Sequence, residues 1–233
     1  MARWYQKWWG VILIAIGSIS VLFAIVLSAM IFSYWRQIKQ GKGGELAKKF
    51  NLSVENSGVA ENRKELESSD DPYLGAGKYT AVVFIDYKCS ASKEEWSVIK
   101  QVAERYGDKI KFIIRDLPFE SLHPGATQLS EIASCADAQG GFWAMSDLLF
   151  DKQGELAANL SESEIKTITE SVGLNYAKLD ECLQTQKGKV EVNRDYADGF
   201  RFGITKTPTF FINAVKTEGN IQFDAWKKFL QKI

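Results

Sequence analysis

The stretch TAVVFIDYKCSASKEEW, residues 80–96, reads as a strand, a turn and a helix start with one cysteine at the junction. Residues 80–85 are β-branched and aromatic and too few for a buried helix, which predicts an interior strand. From Ser92 onward, Trp96, Ile99, Ala103 and Tyr106 recur at spacings of three and four. That period predicts a helix, with Glu94 and Glu95 in its first turn, where the helix dipole favours acids. Cys89 therefore falls just ahead of a helix N-terminus. Backbone N–H groups at such a place stabilise an anion, and the thiolate is the nucleophilic form of cysteine.

Outward from this junction, residues 109–116 (KIKFIIRD) predict a second strand, and the strand-helix-strand order predicts a parallel pair with a right-handed crossover. Helical patterning then runs through segments around 124–138, 141–152, 162–172, 176–185 and 189–199, with Ser161 and Glu164 spaced as a capping box. Strand character returns at 208–213, followed by a possible short strand at 214–217 and a final helix over about 223–230. DDPYLG, residues 70–75, reads as a turn leading into the first strand.

The chain has 233 residues, 45% hydrophobic and 25% charged, with a formal net charge of zero. That length accommodates one domain with a full core plus additional segments. The balanced charge and the lack of aromatic-basic interleaving argue against a nucleic-acid partner. The three cysteines, Cys89, Cys135 and Cys182, have no zinc-ligand spacing, and the one histidine is His123, so no metal is expected. Gly199 and Gly203 read as turn glycines; no strand-linked phosphate loop is present, and no cofactor is expected.

Residues 10–33 carry no charge. At about 1.5 Å per residue they are long enough to cross a hydrocarbon core of roughly 30 Å. Trp4, Tyr5, Trp8 and Trp9 flank the run on one side and Tyr34 and Trp35 on the other, as interfacial aromatic belts do. A cleaved signal peptide has a shorter apolar region and a small-residue cleavage site, so an uncleaved transmembrane anchor at 10–33 is expected, after a short tail at 1–9. Arg3 and Lys7 before it, against Arg36, Lys39 and Lys42 after it, place the C-terminal part in the cytoplasm by charge counting alone. Residues 34–69 are polar, charged and without a periodic apolar face, and read as a stalk. Folded sequence is expected over 70–233.

With the landmarks DDPYLG, VVFIDYKC, YGDKIKFIIRDLP, the His123-Pro124 pair, GGFWAMSDLLF and GITKTPTFFINA in this order, residues 70–233 resemble the DsbA-like family of thiol-disulfide oxidoreductases, and within it the membrane-anchored bacterial members. The resemblance implies an α/β thioredoxin-like fold with a helical insertion, about 123–202, between its βαβ and ββα halves. It implies that Cys89 is the attacking cysteine. In the family a second cysteine resolves the mixed disulfide; here Ser92 stands in its place, and Ser90 stands where proline is common. A dithiol cycle needs both sulfurs in one molecule. Three readings remain open: a monothiol that exchanges with cysteine-containing proteins and is released by an external thiol or redox partner, with Ser92 hydrogen-bonding the thiolate; an inert cysteine in a polypeptide-binding or chaperone-like module; and a lasting disulfide to another protein.

The resemblance further places Thr207-Pro208 at the family's cis-proline position, beside the cysteine and in reach of an extended substrate. It implies a Cys135–Cys182 disulfide in the insertion, two unpaired core thiols being the other reading of these residues, and the bond requires an oxidising compartment. On that ground the domain is expected outside the cytoplasmic membrane, against the flanking charges. His123 reads as a capping or packing residue unless the fold brings it beside Cys89.

Overall fold

The computed structural model describes residues 66–68, 70–212 and 215–232, with the single positions Trp8 and Ser28. Apart from those two positions, the expected tail, the anchor at 10–33 and the stalk up to residue 65 lie outside the described residues. Among the described residues, no helix is long and apolar enough to cross a membrane.

Strands β1 (Tyr73–Leu74), β2 (Tyr79–Ile85), β3 (Ile110–Asp116), β4 (Thr209–Ile212) and β5 (Val215–Glu218) form one sheet in the order β1-β3-β2-β4-β5. Helix α1 (Ser90–Tyr106) connects β2 to β3, which pair in parallel, Tyr79 opposite Ile110 and Ile85 opposite Asp116. The other pairs are antiparallel. Helices α2 (Ala126–Asp137), α3 (Phe142–Asp151), α4 (Glu162–Ser171), α5 (Tyr176–Gln184) and α6 (Lys187–Arg201) fill the interval between β3 and β4, and α7 (Phe223–Gln231) closes the chain. This is the thioredoxin-like α/β arrangement with an inserted helical block.

β2 is apolar at consecutive positions because both of its faces are covered, as in the interior strands of parallel sheets. Ala81, Val83 and Ile85 point into a core shared with Trp96, Ile99 and Val102 of α1, the inserted helices, and Trp226 and Leu230 of α7. Trp226 meets Phe112 and Phe210 edge-on at 5.3 and 5.7 Å, contacts each worth about 1 kcal/mol beyond the area they bury. Val82 and Phe84 point the other way, onto Leu66, Ile113, Leu117, Ile204 and Phe211. Leu66, assigned to the stalk by its polar neighbours, is thus 1% exposed and part of the folded unit.

Two local expectations differ from the structure. α1 starts at Ser90 rather than Ser92, so its first turn holds no acid, and Glu95 lies on the buried face. The DDPYLG turn contains β1, whose two residues pair with Ile113 and Phe112. The capping box at Ser161 is present, with the Ser161 hydroxyl accepting from the Glu164 N–H and the Glu164 carboxylate accepting from the Ser161 N–H. Cys135 of α2 and Cys182 of α5 are joined across a sequence separation of 47, with their Cα atoms 5.7 Å apart.

Candidate active site

β2 ends at Ile85, and the next four residues carry the chain into α1. Asp86 closes the turn on itself: its carbonyl accepts from the Cys89 N–H at 3.0 Å and its Oδ1 from the Lys88 N–H at 2.8 Å. This is the local geometry that makes aspartate a turn residue. Cys89 then occupies the N-cap position with extended backbone, φ −79° and ψ 121°, and its carbonyl accepts from the Lys93 N–H at 3.1 Å to begin the helix. The Cys89 side chain makes no cap hydrogen bond to the helix.

Cys89 is the free cysteine of the three, and it is half-buried. Its Sγ–H donates to the Thr207 carbonyl at 3.3 Å. The Thr207–Pro208 peptide bond is cis. The Pro208 carbonyl accepts from the Gly219 N–H at 2.8 Å, and the Thr209 hydroxyl donates to the Lys206 carbonyl at 2.7 Å, so the loop is anchored in the β4-β5 hairpin. The Thr207 hydroxyl is buried and has no hydrogen-bond partner among the described residues. The structure therefore brings Cys89, Thr207 and Pro208 together from positions more than a hundred residues apart.

Ser92 is fully buried, and its Oγ accepts from the Asp86 N–H at 3.3 Å. Among the hydrogen bonds of the described residues, none joins Ser92 to the Cys89 sulfur. His123 is placed on Asp86: its Nδ1 lies 2.8 Å from Asp86 Oδ2, which also accepts from the Phe119 N–H at 2.9 Å. Asp86 was not singled out from the sequence, where a strand-terminal aspartate two residues before a lysine carries only a weak turn signal.

The inserted block holds the other side of the turn, through α3 and the loop that follows it. The Gln153 amide donates to the carbonyls of Tyr87 and Cys89 at 2.8 and 3.0 Å. Lys88 Nζ donates to Leu156 O at 2.5 Å and to Ala157 O at 3.3 Å. Tyr87, fully buried, shares a 2.7 Å hydrogen bond with Ser146 and packs against Phe150. Burial, with the nearby Asp116 charge, pushes the Tyr87 hydroxyl well above its ordinary range. Asp116, at the end of β3, is pushed well above the usual carboxylate range by burial and then by Asp195.

A second polar group lies apart from the thiol. Asp70, Asp71 and Glu191 converge, but the Arg194 guanidinium sits among them, 2.9 Å from Asp70, 3.0 Å from Asp71 and in direct contact with Glu191. Arg194 pairs with all three carboxylates and Arg115 Nε lies 3.8 Å from Asp71, so the group is an ion-pair cluster.

A strand feeding a helix whose N-cap is a cysteine, faced by a cis-proline loop, defines a thioredoxin-type site. Residues 68–232 match the family model described as Thioredoxin, and the chain belongs to that family, with DsbA-like proteins as its structural neighbours. The thiol-disulfide exchange protein alpha-DsbA2 from Wolbachia pipientis superposes with a TM-score of 0.62 at 20% identity, over 73% of this chain and 90% of that one. A periplasmic thioredoxin-like protein from Salmonella enterica serovar Typhimurium gives a TM-score of 0.58 at 20% identity, over 71% and 91%. In sequence, 146 residues, 63% of this chain, are 28% identical to the Na(+)/H(+) antiporter NhaA 1 of Salinispora arenicola, of whose length the chain spans 22%.

Proposed function

We propose that this protein carries out thiol-disulfide exchange on cysteines of extracytoplasmic proteins through Cys89 as its single redox thiol, held at the membrane by residues 10–33. The observation that carries the reading is the half-buried Cys89 sulfur at the N-cap of α1, 3.3 Å from the carbonyl of Thr207. The Cys89 thiolate attacks one sulfur of a client disulfide. A Cys89–client S–S bond forms, the client S–S bond breaks, and the departing sulfur leaves with the electron pair and takes a proton from water. One disulfide replaces another, so no external oxidant is consumed. Thr207 and Pro208 receive the extended client chain beside the sulfur. A serine cannot form a disulfide, so Ser92 does not displace the client, and release requires an external thiol that attacks the client-side or Cys89-side sulfur. No metal or cofactor takes part in these steps. The extracytoplasmic placement is supported by the Cys135–Cys182 bond.

The test is to incubate the full chain with a disulfide-bridged peptide and weigh the products. One adduct per chain is expected, stable until a small thiol is added and missing in Cys89→Ala. The cis Thr207–Pro208 loop beside Cys89 favours a second reading, a polypeptide-binding module. Client binding that is unchanged in Cys89→Ala, with no adduct in the natural chain, establishes that second reading instead.

A further inference from the structure

The exchange chemistry depends on where the Cys89 sulfur points, yet among the described residues that sulfur makes one weak hydrogen bond of its own, to Thr207. Its direction is set by the backbone turn that carries it. The polar atoms of Asp86 are committed to that turn and its surroundings. Its N–H donates to Ser92 Oγ, its carbonyl accepts from Cys89 N–H, its Oδ1 from Lys88 N–H, and its Oδ2 from Phe119 N–H and lies 2.8 Å from His123 Nδ1. Asp86 has 0% exposure, so each of these bonds replaces one that water cannot supply. Asp86 thereby joins three separate pieces of chain at the sulfur: the end of β2, the first turn of α1 through Ser92, and the loop after β3 through Phe119 and His123.

We infer that Asp86 and Ser92 are positioning residues of the exchange site, a role that rests on the exchange reading above. Ser92, at the place of the resolving thiol, braces the turn from inside the helix. Its hydroxyl is buried and aimed back at Asp86 rather than at a client. His123, with 30% of its side chain exposed, covers the carboxylate from the solvent side. In exchange, the attacking sulfur must line up with the client S–S bond while the client chain lies along Thr207 and Pro208. Releasing the turn lets the sulfur wander among directions of which few satisfy both demands. A small disulfide, which approaches from any side, is indifferent to this; a peptide disulfide is not.

The experiment compares Asp86→Asn and Ser92→Ala with the natural full chain, using an aromatic Ellman-type disulfide and a disulfide-bridged extended peptide as probes, below the unfolding temperature of each variant. Both variants are expected to react with the peptide disulfide at least about tenfold more slowly, the scale on which misplaced reacting groups lose rate. Their reaction with the small disulfide is expected to stay within about threefold, since that rate follows thiolate access. Equal losses on both probes, or no loss on either, overturn the positioning role while leaving the exchange reading standing. No adduct from the natural chain with either probe removes the exchange reading and this one with it. If both variants lack a cooperative unfolding transition, amide hydrogen exchange on the natural protein decides. Protection of the Lys88 and Phe119 N–H groups supports the brace, and free exchange at both overturns it.

Discussion

Glu95 sits on the buried side of the helix that Cys89 caps, with 1% exposure. Burial pushes its carboxyl up to about 7, against the Ile221 N–H, which donates to Oε2 at 2.8 Å and favours the charged form. Its Oε1 and the Trp226 indole N–H are both buried without a well-formed hydrogen bond among the described residues, and the indole draws the carboxyl toward ionisation from longer range. Because the folded value lies above the ordinary 4.5, the native state keeps a proton that the unfolded chain has already released. Stability therefore falls as pH rises from about 4.5 to about 7, and the penalty is fully present above that window. Between about pH 5 and pH 8, the natural protein should lose more unfolding free energy than Glu95→Gln, by at most about 3 kcal/mol. Urea unfolding at the two pH values measures it, and parallel losses in both proteins would remove Glu95 as the cause.

Between elements, the tie between β3 and α6 is electrostatic as well as apolar. Arg115, 2% exposed in the sheet, donates through Nε and Nη2 to Asp195 Oδ1 at 2.8 and 2.6 Å and through Nη2 to Asp198 at 2.8 Å. Asp195 Oδ2 accepts from the Asp116 N–H, so one carboxylate serves both the side chain and the backbone of β3. Burial raises the Asp195 carboxyl to about 6 even with Arg115 beside it. Asp195→Ala takes two hydrogen bonds from Arg115 and the acceptor from the Asp116 N–H, while Asp198 and, at 3.8 Å, Asp71 stay beside the guanidinium, so it should cost about 1.5–3 kcal/mol in urea unfolding. A loss below 1 kcal/mol, roughly the worth of a solvent-exposed pair, would show that Asp198 and Asp71 suffice to hold Arg115. α6 also approaches α2 closely at Gly188, where an added Cβ would lie 2.7 Å from the Glu131 carbonyl oxygen and 2.9 Å from the Cys135 sulfur. Gly188→Ala should destabilise by about 1–3 kcal/mol, the usual range for overpacking, read as a lowered unfolding midpoint.

At the scale of the whole molecule, the cysteine inventory is the most direct check. Intact mass after alkylation should show one blocked thiol in the native protein and three after reduction; Cys89→Ala should show none before reduction. Opening the 47-residue separation between Cys135 and Cys182 should lower unfolding free energy by roughly 4 kcal/mol on the chain-entropy account. Membrane placement has its own test. The full chain should remain with membranes in alkaline carbonate and, in intact cells, react with a membrane-impermeant thiol reagent at Cys89. A chain starting at residue 34 should be released. Labelling only after cell lysis would put the domain on the cytoplasmic side, where the charges at Arg36, Lys39 and Lys42 would place it.

Much of the architecture is written in local pattern. Residues 80–85 could not avoid being a strand, the three-four spacing from Trp96 to Tyr106 required a helix, and Ser161 with Glu164 marks a helix start, because each depends on backbone geometry and periodicity within a few residues. The Thr207-Pro208 loop and the cysteine pair were legible through resemblance, since nothing local brings residue 207 to residue 89. β1, the burial of Leu66 and Glu95, the partnership of Asp86 with His123 and that of Arg115 with Asp195 were not legible. A two-residue strand has no period to read, and a charged side chain in the sequence looks the same whether it meets water or an opposite charge 80 residues away. Which of those happens is settled when the faces of sheet and helices close on one another and exclude solvent, and that closure is a property of the packed molecule.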